Sequence, residues 1–229
     1  GLLMEKEIRC LSQALDNPTR PFTAVVGGAK VSSKIGVLEN LIDKVDNLII
    51  GGGMAYTFVK ANGGKIGNSI CEDDQMDVAK AIEKKAADKS VKIVMATDVL
   101  AADDFSGNGT NKVVSINEIP DGFEGVDAGP DSQKAFAEVI KNSKTILMNG
   151  PVGAFENPKF AEGTKAVLQA IVDATKAGAV SVIGGGDSVS AAKKYFKAED
   201  FTHVSTGGGA SLEFIEGKVL PGVAALDEK

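Results

Sequence analysis

Cysteine, histidine and arginine are scarce in this 229-residue sequence, and it has no long apolar run. The two cysteines, Cys10 and Cys71, have neither the spacing of a metal site nor the number needed for a disulfide framework. The longest apolar stretches, such as residues 48–56, are interrupted by glycine, and none approaches the roughly 18 residues that span a bilayer. These shortages predict a cytoplasmic protein that has no membrane partner.

The charge balance is acidic, with a formal net charge of −6. Because the lysines are scattered rather than clustered, we expect no nucleic acid partner. The only two arginines, Arg9 and Arg20, both lie near the start of the sequence, and the single histidine, His203, is interpreted as structural. An anionic ligand must therefore be held by local groups rather than by the field of the whole protein.

Short apolar runs alternate with stretches of helical periodicity. Residues 22–26 predict a buried strand, the apolar spacing between Val31 and Val45 predicts a helix, and residues 48–50 predict the next strand. This alternation predicts an α/β protein: one Rossmann-like, three-layer αβα domain over residues 1–229 with a mostly parallel sheet of about six strands.

The remaining predicted elements follow the same pattern. The predicted strands are 92–95, 113–116, 145–148, 179–183 and 202–205, and the predicted helices are 75–89, 132–142, 160–176 and 188–196, with a last helix opening after Gly209. Residues 96–111 predict a long loop. The stripe of Ile8, Leu11 and Leu15 predicts a first helix with an apolar face that packs on a neighbouring lobe.

Four glycine clusters are the most informative pattern, since each follows a short apolar run. They occupy residues 27–30, 51–53, 184–187 and 207–209. Glycine after a strand allows a ligand to approach the backbone closely, and the amides at the start of the next helix favour phosphate. Several such turns at one sheet edge predict a nucleotide site.

The known phosphate motifs are absent. Neither Gly64-Lys65 nor Gly217-Lys218 is followed by the Ser or Thr of a P-loop, and the dinucleotide fingerprint lacks its third glycine. What remains is Lys30 with Lys34 one turn beyond it on the predicted helix, so that two ammonium groups can flank one phosphate chain.

Two further segments have both a functional and a structural interpretation. Residues 149–156 follow a strand and end in Glu156, which could accept hydrogen bonds from ribose, but an Asn-Gly-Pro sequence also forms a tight turn. Asp187 could meet Mg²⁺ that bridges phosphates, but it could equally be a helix N-cap.

The four clusters and their flanking residues, in order, resemble phosphoglycerate kinase. The resemblance extends from residues 3–7 through Gly27-Gly28-Ala29-Lys30-Val31, Asn149-Gly150-Pro151-Val152-Gly153 and Gly184-Gly185-Gly186-Asp187 to residues 203–211. It covers one half of that two-lobed family. It implies the C-terminal, nucleotide-binding lobe, with the N-terminal lobe that carries the 3-phosphoglycerate site absent.

The resemblance also implies roles for individual residues. ATP or ADP would bind as substrate with Mg²⁺ as cofactor, and the chain would be a monomer. The implied nucleotide-binding residues are Gly28, Lys30, Lys34, Gly52, Gly125, Val126, Asn149, Gly150, Pro151, Val152, Glu156, Gly185, Asp187 and Ser188. The implied phosphoryl-transfer residues are Lys34, Gly185, Gly207 and Gly208, with Asp187 at the metal and Phe105 near the base.

Two other interpretations stay open on the residues alone. A Rossmann-like dinucleotide or coenzyme A binding module would use the same strand-end glycines, although the missing third glycine disfavours it. A non-catalytic interaction module would use the glycines for packing only. Binding of a nicotinamide cofactor separates the first from a kinase lobe, and nucleotide-dependent thermal stabilisation separates the second.

Overall fold

The structure, a computed structural model, describes residues 2–205, apart from the side chains of residues 2–4 and 7. The predicted helix after Gly209 and the fourth glycine cluster lie outside these residues. In the part that is described, no helix is both long enough and apolar enough to cross a bilayer. Strands and helices alternate along it, as the sequence pattern predicts.

The strands are numbered in chain order. They are β1 (Phe22–Val26), β2 (Asn47–Ile50), β3 (Lys65–Ile66), β4 (Lys92–Met95), β5 (Asp98–Ala102), β6 (Asn111–Ser115), β7 (Glu118–Ile119), β8 (Glu124–Ala128), β9 (Thr145–Asn149), β10 (Val180–Gly184) and β11 (His203–Val204). The α-helices are α1 (Leu2–Asp16), α2 (Ile35–Ile42), α3 (Ala55–Ala61), α4 (Met76–Asp88), α5 (Pro130–Lys141), α6 (Glu162–Lys176) and α7 (Gly186–Tyr195). Short 3-10 turns occur at Asp73–Gln75, Pro158–Phe160 and Ala198–Asp200.

Six strands form one parallel sheet in the order β11-β10-β9-β1-β2-β4. This confirms the predicted fold class and the first βαβ unit, in which Ala24 of β1 lies opposite Leu48 of β2. All five residues of β1 are buried, because helices cover both faces of the sheet. The sheet therefore ends in several neighbouring turns at its carboxyl edge.

The two faces of the sheet have separate apolar cores. Alternate strand residues divide between them: Val26 packs with side chains of α1 to α4, and Val25 packs with side chains of α5 to α7. Leu11 and Leu15 of α1 belong to the first core. The expectation that these two residues pack on another lobe is therefore wrong, because they cover this domain's own sheet.

A second, smaller sheet corrects the predicted loop at residues 96–111. Strand β5 begins inside it, and β6, β5 and β8 pair as an antiparallel sheet. The sequence also does not predict α3, β8 and the two-residue strands β3 and β7; glycines at 51–53 and 125 interrupt the apolar patterns of α3 and β8. Helix α2 is also shorter than predicted, since residues 32–34 form a turn.

The turns that follow β1 and β9 touch each other through their backbones. The Gly27 amide donates to the Asn149 carbonyl at 3.0 Å, and a Cβ atom built on Gly27 would lie 1.9 Å from the Pro151 carbonyl oxygen. Gly150 has a φ of +110°, and its Cβ would lie 2.1 Å from the Gly27 oxygen. No side chain fits between these turns, so glycine is required at both positions.

We therefore predict that Gly150→Ala destabilises the fold more than Gly178→Ala. Gly178 has nearly the same φ, +107°, but has no atom within 4 Å of its Cβ position. Both substitutions incur the left-handed backbone cost of about 1–2 kcal/mol, and Gly150→Ala adds about 1–3 kcal/mol of overlap. Urea unfolding of the two variants measures the difference, and equal losses would contradict the close approach.

Candidate functional site

Two adjoining cavities lie at the carboxyl edge of the parallel sheet. Cavity A has a volume of about 440 Å³ and cavity B a volume of about 330 Å³. Both are lined by Gly28, Ala29, Pro151 and Asp187, so a ligand can extend from one into the other. Open α/β sheets bind their ligands at this edge, beyond the carboxyl ends of the strands.

Cavity B contains a buried amide beside an ammonium group. Asn149 is fully buried at the end of β9, and its Oδ1 accepts a hydrogen bond from Lys34 Nζ. Its Nδ2 has no partner among the described residues and lies 3.2 Å from the Cβ position of Gly185. Buried donors are almost always paired, so this amide favours a ligand that accepts hydrogen bonds.

The start of helix α7 forms another wall of cavity B. Gly185, with a φ of +86°, occupies the N-cap position, so α7 begins directly after β10. The amides of a helix's first turn have no partner within the helix and favour anions. Buried Ser188 accepts from the Gly150 amide at 2.5 Å, which joins the start of α7 to the turn after β9.

Cavity A is mostly apolar. Val126, Val152, Ile70 and Phe105 contribute apolar surface, and the Phe105 ring is 59% exposed at the entrance. A Cβ atom on Gly125 would lie 2.0 Å from the Tyr56 hydroxyl oxygen. Only glycine therefore fits at this position, and the wall is thin there. This lining suits the apolar faces of an aromatic ring.

Four polar side chains also line cavity A, namely Tyr56, Glu124, Glu156 and Asp187. Burial raises the pKa of the Glu124 carboxyl. Burial also raises the pKa of the Tyr56 hydroxyl, and the charges of Asp127 and Glu124 raise it further, so Tyr56 stays neutral. This part of the cavity therefore holds a neutral donor beside a carboxylate acceptor.

Most of the predicted site residues come together around the two cavities. Cavity A is lined by Gly28, Gly52, Phe105, Gly125, Val126, Pro151, Val152, Glu156 and Asp187, and cavity B adds Lys34, Asn149, Gly150, Gly185 and Ser188. Gly207 and Gly208 lie outside the described residues. Sequence reasoning missed Tyr56, Ile70 and Glu124, which reach cavity A from α3, from the loop after β3 and from β8.

Lys30 is the exception, since it lines neither cavity. It is exposed, and it does not share a helix with Lys34, because α2 begins at Ile35 and Lys34 is the residue before it. The predicted helical pairing of the two lysines is therefore wrong.

The Lys30 charge acts on Glu72 instead. Burial would raise the pKa of the Glu72 carboxyl, but hydrogen bonds from Ser32 and Val31 and the Lys30 charge outweigh burial and lower that pKa.

Asp187 is exposed in the first turn of α7 and lines both cavities. It is not the N-cap, because Gly185 holds that position, so the capping interpretation is wrong. Within residues 2–205, no three acidic, His or Cys side chains gather as a metal-binding cluster. A single carboxylate nevertheless fits Mg²⁺, which takes most of its other ligands from water and substrate phosphates.

Two carboxylates of the antiparallel sheet cap helices that lack an N-cap side chain of their own. Asp98 of β5 accepts from the Ser132 amide of α5 at 2.8 Å, and Asp127 of β8 accepts from the Gly163 amide of α6 at 2.8 Å. The two differ in environment. Hydrogen bonds from Ser132 and from the Asp131 amide outweigh burial and lower the pKa of Asp98, whereas burial raises that of Asp127 to about 7.

Comparisons with known proteins identify the family. The family model described as phosphoglycerate kinase matches residues 1–218. The chain belongs to the phosphoglycerate kinase family. Family membership supports the kinase-lobe interpretation over the two alternatives that the residues alone left open.

Solved phosphoglycerate kinases share the fold. The structure of phosphoglycerate kinase from Coxiella burnetii is 44% identical with a TM-score of 0.91, over 96% of this chain and 56% of that one. The enzyme from Pyrococcus horikoshii OT3 is 31% identical with a TM-score of 0.81, over 99% of this chain and 56% of that one. The chain therefore spans little more than half the length of these phosphoglycerate kinases.

Proposed function

We propose that residues 1–229 are the C-terminal, nucleotide-binding lobe of phosphoglycerate kinase, a single domain that binds ADP or ATP with Mg²⁺. The observation that carries this proposal is the continuity of a mostly apolar cavity with a cavity lined by an ammonium group, a buried amide and the start of a helix. A nucleotide has two matching parts, since its base is planar and apolar on both faces and its phosphates are anionic. The family match supports the assignment.

The nucleotide lies with its base in cavity A and its phosphates in cavity B. The base stacks against the thin wall at Gly125 and Val126, and Glu156 at the rim accepts hydrogen bonds from ribose hydroxyls. Lys34 Nζ, Asn149 Nδ2 and the first amides of α7 donate to the phosphates. Charge-assisted hydrogen bonds of this kind are the strong ones.

Asp187 is the carboxylate available to hold Mg²⁺, because it lies where the two cavities meet. Bound magnesium would neutralise charge on the phosphate oxygens. The buried hydroxyl of Ser188 already accepts from the Gly150 amide, so its role is to fix the neighbouring turn as well as to contact nucleotide.

The whole enzyme would transfer a phosphoryl group reversibly between 1,3-bisphosphoglycerate and ADP, a step of glycolysis. The carboxylate acceptor, 3-phosphoglycerate, is already ionised at neutral pH, so positioning and charge neutralisation suffice without a general base. Its phosphate calls for basic groups. Arg20 lies before β1, at the opposite edge of the sheet from the cavities, and is bonded to Asp46 at 3.0 Å. Since neither arginine is among the described residues that line the cavities, we assign the acceptor site to the N-terminal lobe.

We predict that Lys34→Ala weakens binding of MgADP about 10- to 100-fold, through loss of a charge-assisted phosphate contact. Lys30→Ala should have a smaller effect, because Lys30 is exposed and lines neither cavity. Lys176→Ala, at the far end of α6, is the matched control and should bind as wild type does. Isothermal titration calorimetry measures all four proteins, and wild-type affinity in Lys34→Ala would remove Lys34 from the site.

We predict that Asp187→Asn removes the gain in nucleotide affinity that Mg²⁺ gives to wild type. An amide keeps the shape of the side chain but loses the charge that attracts the cation. The comparison is ADP titrated with excess Mg²⁺ and with EDTA. Asp131→Asn is the matched control, since Asp131 is also an exposed acid in a helix's first turn but lines neither cavity. A retained magnesium effect in Asp187→Asn would contradict the metal assignment.

We predict that this chain alone phosphorylates 3-phosphoglycerate at no appreciable rate. Holding two reactants in line supplies roughly 7–11 kcal/mol of a barrier, and a lobe that binds one of them forfeits most of it. Activity should appear when the complementary N-terminal half is added in trans. A coupled assay with each half and with the mixture tests this, and near-normal turnover by the chain alone would contradict it.

A further inference from the structure

Asp127 is a buried carboxylate that the proposed nucleotide contacts do not use. It is 3% exposed, and its two oxygens accept from two backbone amides: Oδ1 from Ala128 at 2.9 Å and Oδ2 from Gly163 at 2.8 Å. Cβ atoms built on Gly153 and on Gly163 would each lie 2.3 Å from Oδ1. The carboxylate therefore fills the space between β8, the start of α6 and the turn after β9.

This position is where two walls of cavity A meet. Gly125 and Val126 of β8 form one wall, and Gly153 and Ala154 contribute to the other. The walls are joined by a hydrogen bond from the Ala154 amide to the Val126 carbonyl at 2.9 Å, one residue before Asp127. The Asp127 carboxylate therefore lies directly behind both walls.

We infer that Asp127 is a positioning residue: by binding the first turn of α6 and packing against Gly153, its carboxylate sets the width of cavity A and so the affinity for a purine base. This inference rests on the proposed nucleotide site. It goes further in assigning part of the affinity to a residue that lines neither cavity.

The charge state of Asp127 then affects binding. Burial raises its pKa to about 7, two amide donors act in the opposite direction, and the Glu162 charge adds to the rise. The neutral Tyr56 of α3 is close enough for the Asp127 charge to raise its pKa, and Lys165 lies 3.4 Å from Glu162 and offsets the Glu162 charge. Glu124 lies on the same strand as Asp127. Leu100, its partner on β5, is apolar.

Protonation removes a charged acceptor from the Gly163 and Ala128 amides. Because the pKa lies near 7, Asp127 is mostly ionised at pH 8 and mostly protonated at pH 6. Affinity should therefore fall as the pH falls, by about fivefold over this range. The phosphates of the nucleotide also change protonation over this pH range, which changes the affinity further. This second contribution is the same for every variant.

The test compares Asp127→Asn with Asp98→Asn, which removes the equivalent charge from the start of α5 away from both cavities. MgADP affinity is measured by calorimetry at pH 6 and pH 8, and ³¹P NMR of ADP corrects for phosphate protonation. We expect Asp127→Asn to bind about tenfold more weakly than wild type at pH 8, with a corrected affinity that no longer changes with pH. Asp98→Asn should keep the wild-type affinity and its pH profile.

Two outcomes of this comparison would overturn the inference. Wild-type affinity in Asp127→Asn would overturn it, and so would an equal loss in both variants, which indicates general destabilisation. If Asp127→Asn does not fold, the test uses wild type: the NMR chemical shift of the Gly163 amide and the corrected MgADP affinity are both followed against pH. A shared pH midpoint supports the inference, and different midpoints overturn it. Absence of binding by folded wild type would overturn the proposed function as well, whereas an unaffected Asp127→Asn overturns the positioning role alone.

Discussion

The contact between the turns after β1 and β9 is the constraint on which the rest of the site depends. These strands are neighbours in the sheet, so their turns leave the same edge, and the backbone atoms of Gly27 approach Gly150 and Pro151 too closely for any side chain. This contact brings Asn149 beneath the start of α7 and Gly28 beside Pro151. Both cavities are bounded by these turns, so the site is formed by backbone first and by side chains second.

The site also requires that the antiparallel sheet be held against the parallel sheet and its helices. The antiparallel sheet supplies the thin wall of cavity A at Gly125 and Val126. Helices α5 and α6 start without capping side chains of their own, and Asp98 and Asp127 of that sheet supply the missing acceptors. Each bond satisfies an amide that the helix cannot. The Asp127 bond lies behind a wall of cavity A, so this interaction both stabilises a helix start and sets the position of that wall, whereas Asp98 lines neither cavity.

The sequence predicts local structure and strand-end chemistry well, and long-range contacts poorly. The buried run at β1 and the glycines after β1, β2 and β10 identify the parallel sheet and its functional edge, because burial pattern and turn chemistry are local properties. The antiparallel sheet was missed, since β5 pairs with β8 across more than twenty residues and no local pattern marks that pairing. For the same reason Tyr56 and Glu124 could not be assigned to cavity A.

The unpaired Nδ2 of Asn149 shows how stability and binding are coupled at this edge. Lys34 binds Oδ1 of this amide, which fixes its orientation and leaves Nδ2 as a donor beside cavity B. The left-handed backbone of Gly150 and Gly185 would penalise any other residue at those positions. The fold therefore positions this donor before a ligand arrives, so little conformational entropy is lost when a ligand accepts a hydrogen bond from Nδ2.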